Sequence, residues 1–78
     1  MKKFLVGNYE MEDGAHFTPP YALIESESAR DAVRTYNESL NYQSGEIMCI
    51  IDKKTGRPAH HHKDTDTSEC LSAIENCN

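Results

Sequence analysis

"YALIESESARDAVRTYNESL", residues 21–40, changes its hydrophobic period halfway along. At its start Ala22 and Ile24 face one way and Tyr21 and Leu23 the other, the two-residue period of a strand over Tyr21–Glu25. Further on, Ala29, Ala32, Val33, Tyr36 and Leu40 recur at the spacing of one helix face. Ser28 with Asp31 three positions later resembles a capping box, the acid lying at the helix's positive end. Asn41 is the expected stop. A strand that hands over directly to an amphipathic helix needs a sheet for that helix to cover.

The flanking segments supply the sheet. Upstream, "KKFLVGNYE" reads as a first strand over Lys3–Tyr9, with Leu5, Gly7 and Tyr9 on one face and Phe4 and Val6 on the other. Asp13-Gly14 then marks a turn. Pro19 and Pro20 have no amide hydrogen, so they are assigned to an irregular lead-in before Tyr21. Downstream, Ile47, Met48, Cys49, Ile50 and Ile51 form the continuous apolar run of a strand buried on both faces. Asp52–Gly56 reads as a hairpin loop and Arg57–His62 as its return strand, which Pro58 demotes to a sheet edge. "DTDTSECLSAIENCN" closes the chain with a short helix. Asp66 and Glu69 resemble its capping box, and Cys70, Leu71, Ile74 and Cys77 form its apolar side.

The predicted fold is therefore α+β: a small antiparallel sheet with an amphipathic helix on one face, in the order β-β-α-β-β plus a short C-terminal helix. Residues 1–78 make one domain, and a chain of 78 residues has a shallow core. The C-terminal helix, at roughly ten residues, must dock on the opposite face or on the sheet's edge.

Composition narrows the function classes. Eight basic residues against thirteen acidic ones give a net charge of -5, which disfavours direct binding of nucleic acid and favours a basic protein partner. Three cysteines cannot close a disulfide framework without a leftover thiol. "MKKFLVGNYEMED" is too polar for a signal peptide, and no apolar run reaches the length of a membrane span. Cytoplasmic residence without membrane contact is the expectation. The sequence has no GxSxG, phosphate loop, HExxH or GxGxxG, so an enzyme is not expected, and no cofactor is called for.

Two clusters remain as candidate sites. His60 and His62 would project to the same side of an extended strand, about 6.6–6.8 Å apart, with Cys70 as a further ligand for zinc. The competing reading makes the histidines polar guards of an exposed edge, and it is preferred because no zinc framework has this spacing. The second cluster is a partner-binding surface. It combines tyrosines suited to anchoring, Tyr9 and Tyr42, with the acids Glu10, Glu12, Asp13, Glu25, Glu27 and Asp31. A homodimer through the edge strand is a further reading.

The strand running into a Ser-capped helix at residues 21–40, followed by "GEIMCIID", resembles small phage and mobile-element proteins. Phage-encoded anti-CRISPR proteins are similar in size and in this β-β-α-β-β plan, over roughly residues 1 to 62. The similarity is one of layout without a specific motif, so it transfers no functional residue. It implies a stoichiometric inhibitor in the host cytoplasm that sits on a defence nuclease or surveillance complex, a larger protein or ribonucleoprotein. Carboxylates such as Glu10, Glu12, Asp13, Glu25 and Glu27 would occupy a basic channel meant for DNA.

Overall fold

A computed structural model describes residues 1–10, 14, 16–40 and 45–77, apart from the side chain of Leu40. The expected turn residue Asp13 and the expected helix stop Asn41 lie outside the described residues. The element order is β1 (Lys2–Glu10), β2 (His16–Ser26), α1 (Ala29–Leu40), β3 (Gly45–Ile51), β4 (Pro58–His61) and α2 (Thr67–Asn76). The four strands form one antiparallel sheet in the order β2-β1-β3-β4, which makes the chain an α+β protein.

Both sheet faces are covered, so the molecule has three layers. Under α1, Phe4 and Val6 of β1 pack with Ala32 and Tyr36, flanked by Ala22, Ile24, Val33, Ile47 and Ile50. On the other face Leu5, Phe17, Met48, Cys49 and Ile51 pack with Cys70 and Ala73 of α2. Each large side chain so buried contributes about 1.5–3 kcal/mol, which is why a short α2 holds its place. The apolar side of α2 differs from the expected one. Ala73 is buried with Cys70, whereas Leu71 is only half-buried.

The apolar run of β3 serves both layers through a bulge. Leu5 pairs with Cys49 but Val6 pairs with Ile47, which leaves Met48 as the extra residue. Strict alternation would put Met48 on the same side as Ile50. The insertion turns Met48 and Cys49 both toward α2 and leaves Ile47 and Ile50 under α1.

The main correction concerns β2. It is not confined to Tyr21–Glu25 but starts at His16 and runs through both prolines. Two facts permit this. β2 is an edge strand, so an absent amide hydrogen can face away from the sheet. The register also jumps there: Val6 pairs with Ala22 and Asn8 with Thr18, so Gly7 alone faces Pro19, Pro20 and Tyr21. The freed carbonyls find side-chain donors. Asn8 Nδ2 donates to Pro19 at 3.3 Å and the Tyr36 hydroxyl to Pro20 at 2.6 Å. The return strand β4 is shorter than expected, ending at His61, and its loop closes through Asp52 and a Gly56 at φ 69°. The amides of Lys54 and Thr55 both donate to the Asp52 carboxylate.

The helix caps differ in detail from the expected boxes. The Ser28 hydroxyl accepts the Asp31 amide at 3.2 Å, but the Asp31 carboxylate pairs with Arg34, also at 3.2 Å, along the helix. Asp66 caps α2, accepting the Glu69 amide at 2.8 Å and the Ser68 hydroxyl at 2.7 Å. The Ser68 hydroxyl, then the Glu69 amide, hold the Asp66 carboxyl below its ordinary value of 3.8.

Two predictions follow from these contacts. A Cβ at Gly7 would meet the Tyr21 ring at 2.8 Å and the Met48 sulfur at 3.0 Å. Gly7→Ala is therefore expected to lower stability by about 1–3 kcal/mol in urea unfolding. The Asp66 cap is complete above the unfolded-state value and is lost as pH falls through the lower folded value. Helicity followed by circular dichroism should accordingly show an acid-dependent loss below about pH 4 that Asp66→Asn removes, since asparagine caps without titrating.

Candidate protein-binding surface

The end of β1 and the starts of β2 and β3 share one end of the sheet with the end of β4, and three rings converge there. Tyr9 and Phe17 are direct cross-strand partners, with centroids 5.0 Å apart at 60°. His62 packs against both, at 5.0 Å from Tyr9 and 5.6 Å from Phe17. Edge-on contacts of this kind fix ring orientations more tightly than area burial alone. Phe17 is buried, while Tyr9 and His62 are half-buried and keep one side toward solvent.

Asp64 organises the polar rim of this cluster. Its carboxylate accepts the Tyr9 hydroxyl at 3.0 Å, and its amide donates to His62 Nδ1 at 3.3 Å. The Asp64 carboxylate lies 3.9 Å from the same ring nitrogen. Burial raises the Tyr9 phenol, and Asp64, through its bond and its charge, and Glu46, through its charge, raise it further. Nearby, His16 Nδ1 donates to the Gly14 carbonyl at 2.8 Å, and its Nε2 lies 3.8 Å from the Glu10 carboxylate.

The expected acidic patch divides between the two ends of the molecule. Glu10 pairs with His16 at the aromatic end, whereas Glu25 pairs with Lys3, seven residues away along β1 or roughly 23 Å. Glu27 is exposed just beyond Glu25, and Asp31 follows in the first turn of α1 beside Arg34. Glu12, Asp13 and Tyr42 lie outside the described residues. The structure thus brings Tyr9 and Glu10 together and separates them from Glu25, Glu27 and Asp31.

Basic charge divides in the opposite sense. Lys2, Lys3, Lys53, Lys54 and Arg57 occupy the end of the sheet that carries the β3–β4 loop, and Arg30 and Arg34 lie in the first two turns of α1 above it. Of the eight basic residues only Lys63 belongs to the aromatic end. That end carries Glu10, Glu46, Asp64 and Asp66, with Glu38 near the last turn of α1. The Asn37 side chain accepts the Gly45 amide at 2.9 Å and ties that last turn to the start of β3. The protein is electrically polar, and its acidic pole is centred on Tyr9 and His62.

The histidine triplet does not form the expected pair on one strand. His60 is opposite Ile50, which packs under α1, and His61 is opposite Cys49, which packs under α2. His62 lies past the last residue of β4 and joins the aromatic cluster on the α2 side. Cys70 is fully buried in the α2 core, in hydrogen-bond contact with Cys49. Burial raises both thiols, so they sit there as neutral packing groups. Among the described residues no three His, Cys, Asp or Glu side chains stand close enough to hold a metal ion. No helix among them is long and apolar enough to cross a membrane.

No protein-family model, curated protein or solved structure matches this chain.

Phe17, Glu46, His62 and Asp64 are the site residues that periodicity alone does not single out. A signal for Phe17 was present: Glu10–His16, Tyr9–Phe17 and Asn8–Thr18 are symmetric about Asp13, the residue marked as a turn. His62 and Asp64 had no such signal, since their position depends on where β4 ends. In a spectrophotometric titration, Asp64→Ala is expected to bring the Tyr9 ionisation down toward 10, with Tyr9→Phe identifying the transition.

Proposed function

We propose that this is a small, acidic, non-enzymatic protein-binding module whose aromatic, acidic pole docks on a basic surface of a larger protein or ribonucleoprotein complex. The observation that carries this reading is the coincidence of Tyr9, His62 and Phe17 with the acidic end of a charge-separated molecule. Charge of one sign gathered at one end orients an approaching partner and speeds encounter, while a rigid aromatic pair with a polar rim supplies the anchor. The tyrosine is already held by Asp64, so little side-chain freedom is lost on docking.

A basic surface of this extent on a cellular protein commonly serves nucleic acid, so the module acts by occupying a channel meant for phosphates. The plan of the chain and its charge support the finer proposal of a phage-encoded inhibitor of a CRISPR or other defence complex, working in the host cytoplasm. Of the carboxylates first expected to line the contact, Glu10 belongs to the docking pole. Glu25, Glu27 and Asp31 lie at the opposite end, among Lys3, Arg30 and Arg34, and take no part in the contact.

The test is affinity capture from host lysate with immobilised protein at low salt and at about 1 M salt, where the screening length is about 3 Å. A basic, nucleic-acid-handling complex is expected to bind at low salt and to be released both by high salt and by added DNA. Tyr9→Ala and Glu46→Lys should each weaken capture by about tenfold or more, and Glu27→Lys should leave it unchanged. Capture indifferent to DNA, or as sensitive to Glu27→Lys as to Glu46→Lys, would overturn the reading.

A further inference from the structure

The two edges of the sheet are finished differently. β4 is four residues long, begins with Pro58 and carries His60 and His61, all features that discourage pairing with another strand. β2 is eleven residues long, and its first half is closed by its own chemistry. Pro19 and Pro20 have no amide hydrogens to offer. The carbonyls of Phe17, Pro19 and Pro20 already accept from Tyr21, Asn8 and Tyr36. The second half, residues 21–26, carries neither device, and no described strand pairs with its outer side. It also presents Leu23, 40% exposed and, with Met1, one of two exposed large apolar side chains among the described residues.

We propose that residues 21–25 of β2 pair antiparallel with the same residues of a second copy, about a two-fold axis through Leu23. That axis makes one eight-stranded sheet with both α1 helices on one face and both α2 helices on the other. Directly opposed residues share a face, so Leu23 meets Leu23 on the α2 side, beside a groove of about 370 Å³ lined by Tyr21, Ala22, Leu23, Asn76 and Cys77. Ala22 meets Ile24 on the α1 side, and Tyr21 meets Glu25.

Charge selects this arrangement. Glu25 and Glu27 are the acids at this end of β2, and a parallel pairing would stack each on its own copy. The antiparallel register opposes Glu25 to an uncharged tyrosine and separates the two Glu25 carboxylates by about 13 Å along the strands. Lys3, the partner of Glu25 on β1, balances the charge from the inner side. The acidic poles then point away from each other at the two far ends, so the dimer leaves the docking surface free. A pairing of five residues per copy buries less than the about 1,200 Å² of a stable interface, so the association is weak and concentration-dependent.

Sedimentation of the full chain across concentrations up to about 1 mM tests this, a range suited to a small interface. A monomer–dimer equilibrium is expected, with its dissociation constant raised about tenfold or more by Leu23→Lys while the circular dichroism spectrum stays unchanged. In a Cys77→Ser background, Leu23→Cys should form an intermolecular disulfide under mild oxidation and Glu27→Cys should not. A chain that stays monomeric throughout, whether its edge is idle or kept for another protein's strand, overturns the proposal. So does a dimer indifferent to Leu23→Lys, or a cross-link at Glu27→Cys as fast as at Leu23→Cys.

Discussion

The Tyr36 hydroxyl reaches from α1 across the sheet to the Pro20 carbonyl, with Asn8 Oδ1 at 3.2 Å as a second acceptor. That contact joins three elements at the place where the sheet is least regular, the three-against-one bulge opposite Gly7. A carbonyl pushed out of a ladder by a bulge needs a donor if it is to be buried, at a cost of about 1–3 kcal/mol when it finds none. Tyr36, buried at 2% exposure, supplies it and positions α1 in the same step. Gly7 gives room for the Tyr21 ring on the opposite side, so α1, the bulge and the α2 layer are mutually constrained.

The bulge also explains which parts of the fold were legible in the sequence. The period of 3.6 over Ala29, Ala32, Val33 and Tyr36 and the period of 2 over Leu5, Val6 and their neighbours are local signals, and they suffice for an antiparallel α+β chain. The prolines of β2 read locally as a barrier, because a strand's tolerance of proline depends on its place in the sheet. Edge position is a property of the whole topology. The same limit applies to Met48 and Cys49: a continuous apolar run reveals burial on both sides but not where an insertion turns consecutive residues toward one face.

The candidate surface was half legible for a related reason. Tyr9 and Glu10 were visible as an aromatic and an acid at a strand end, and that is where they act together. Glu25, Glu27 and Asp31 were grouped with them by sequence proximity alone, although the antiparallel pairing sets Glu10 beside His16 at one end of the sheet and Glu25 beside Lys3 at the other. His60, His61 and His62, consecutive in the chain, go to three environments: exposed on the α1 face, exposed on the α2 face and into the aromatic cluster. Adjacency in sequence is poor evidence for a ligand set when a strand ends inside the cluster.

Charge separation and edge chemistry act on different scales, and the fold keeps them apart. Fields from Glu10, Glu46 and Asp64 extend about 10 Å at moderate salt and govern how a partner approaches. Backbone pairing at residues 21–25 acts only at contact, through hydrogen bonds whose donors and acceptors are useless beyond about 3.5 Å. Because β2 runs from the acidic pole to the basic end, its closed half lies beside Tyr9 and its open half beside Lys3. A strand arriving at the open half therefore meets mixed charge, while a basic surface drawn to the acidic pole finds an edge already sealed by proline and side-chain donors. The bulge that lets β2 carry two prolines is thus also what keeps recognition by charge and recognition by strand pairing from competing for the same residues.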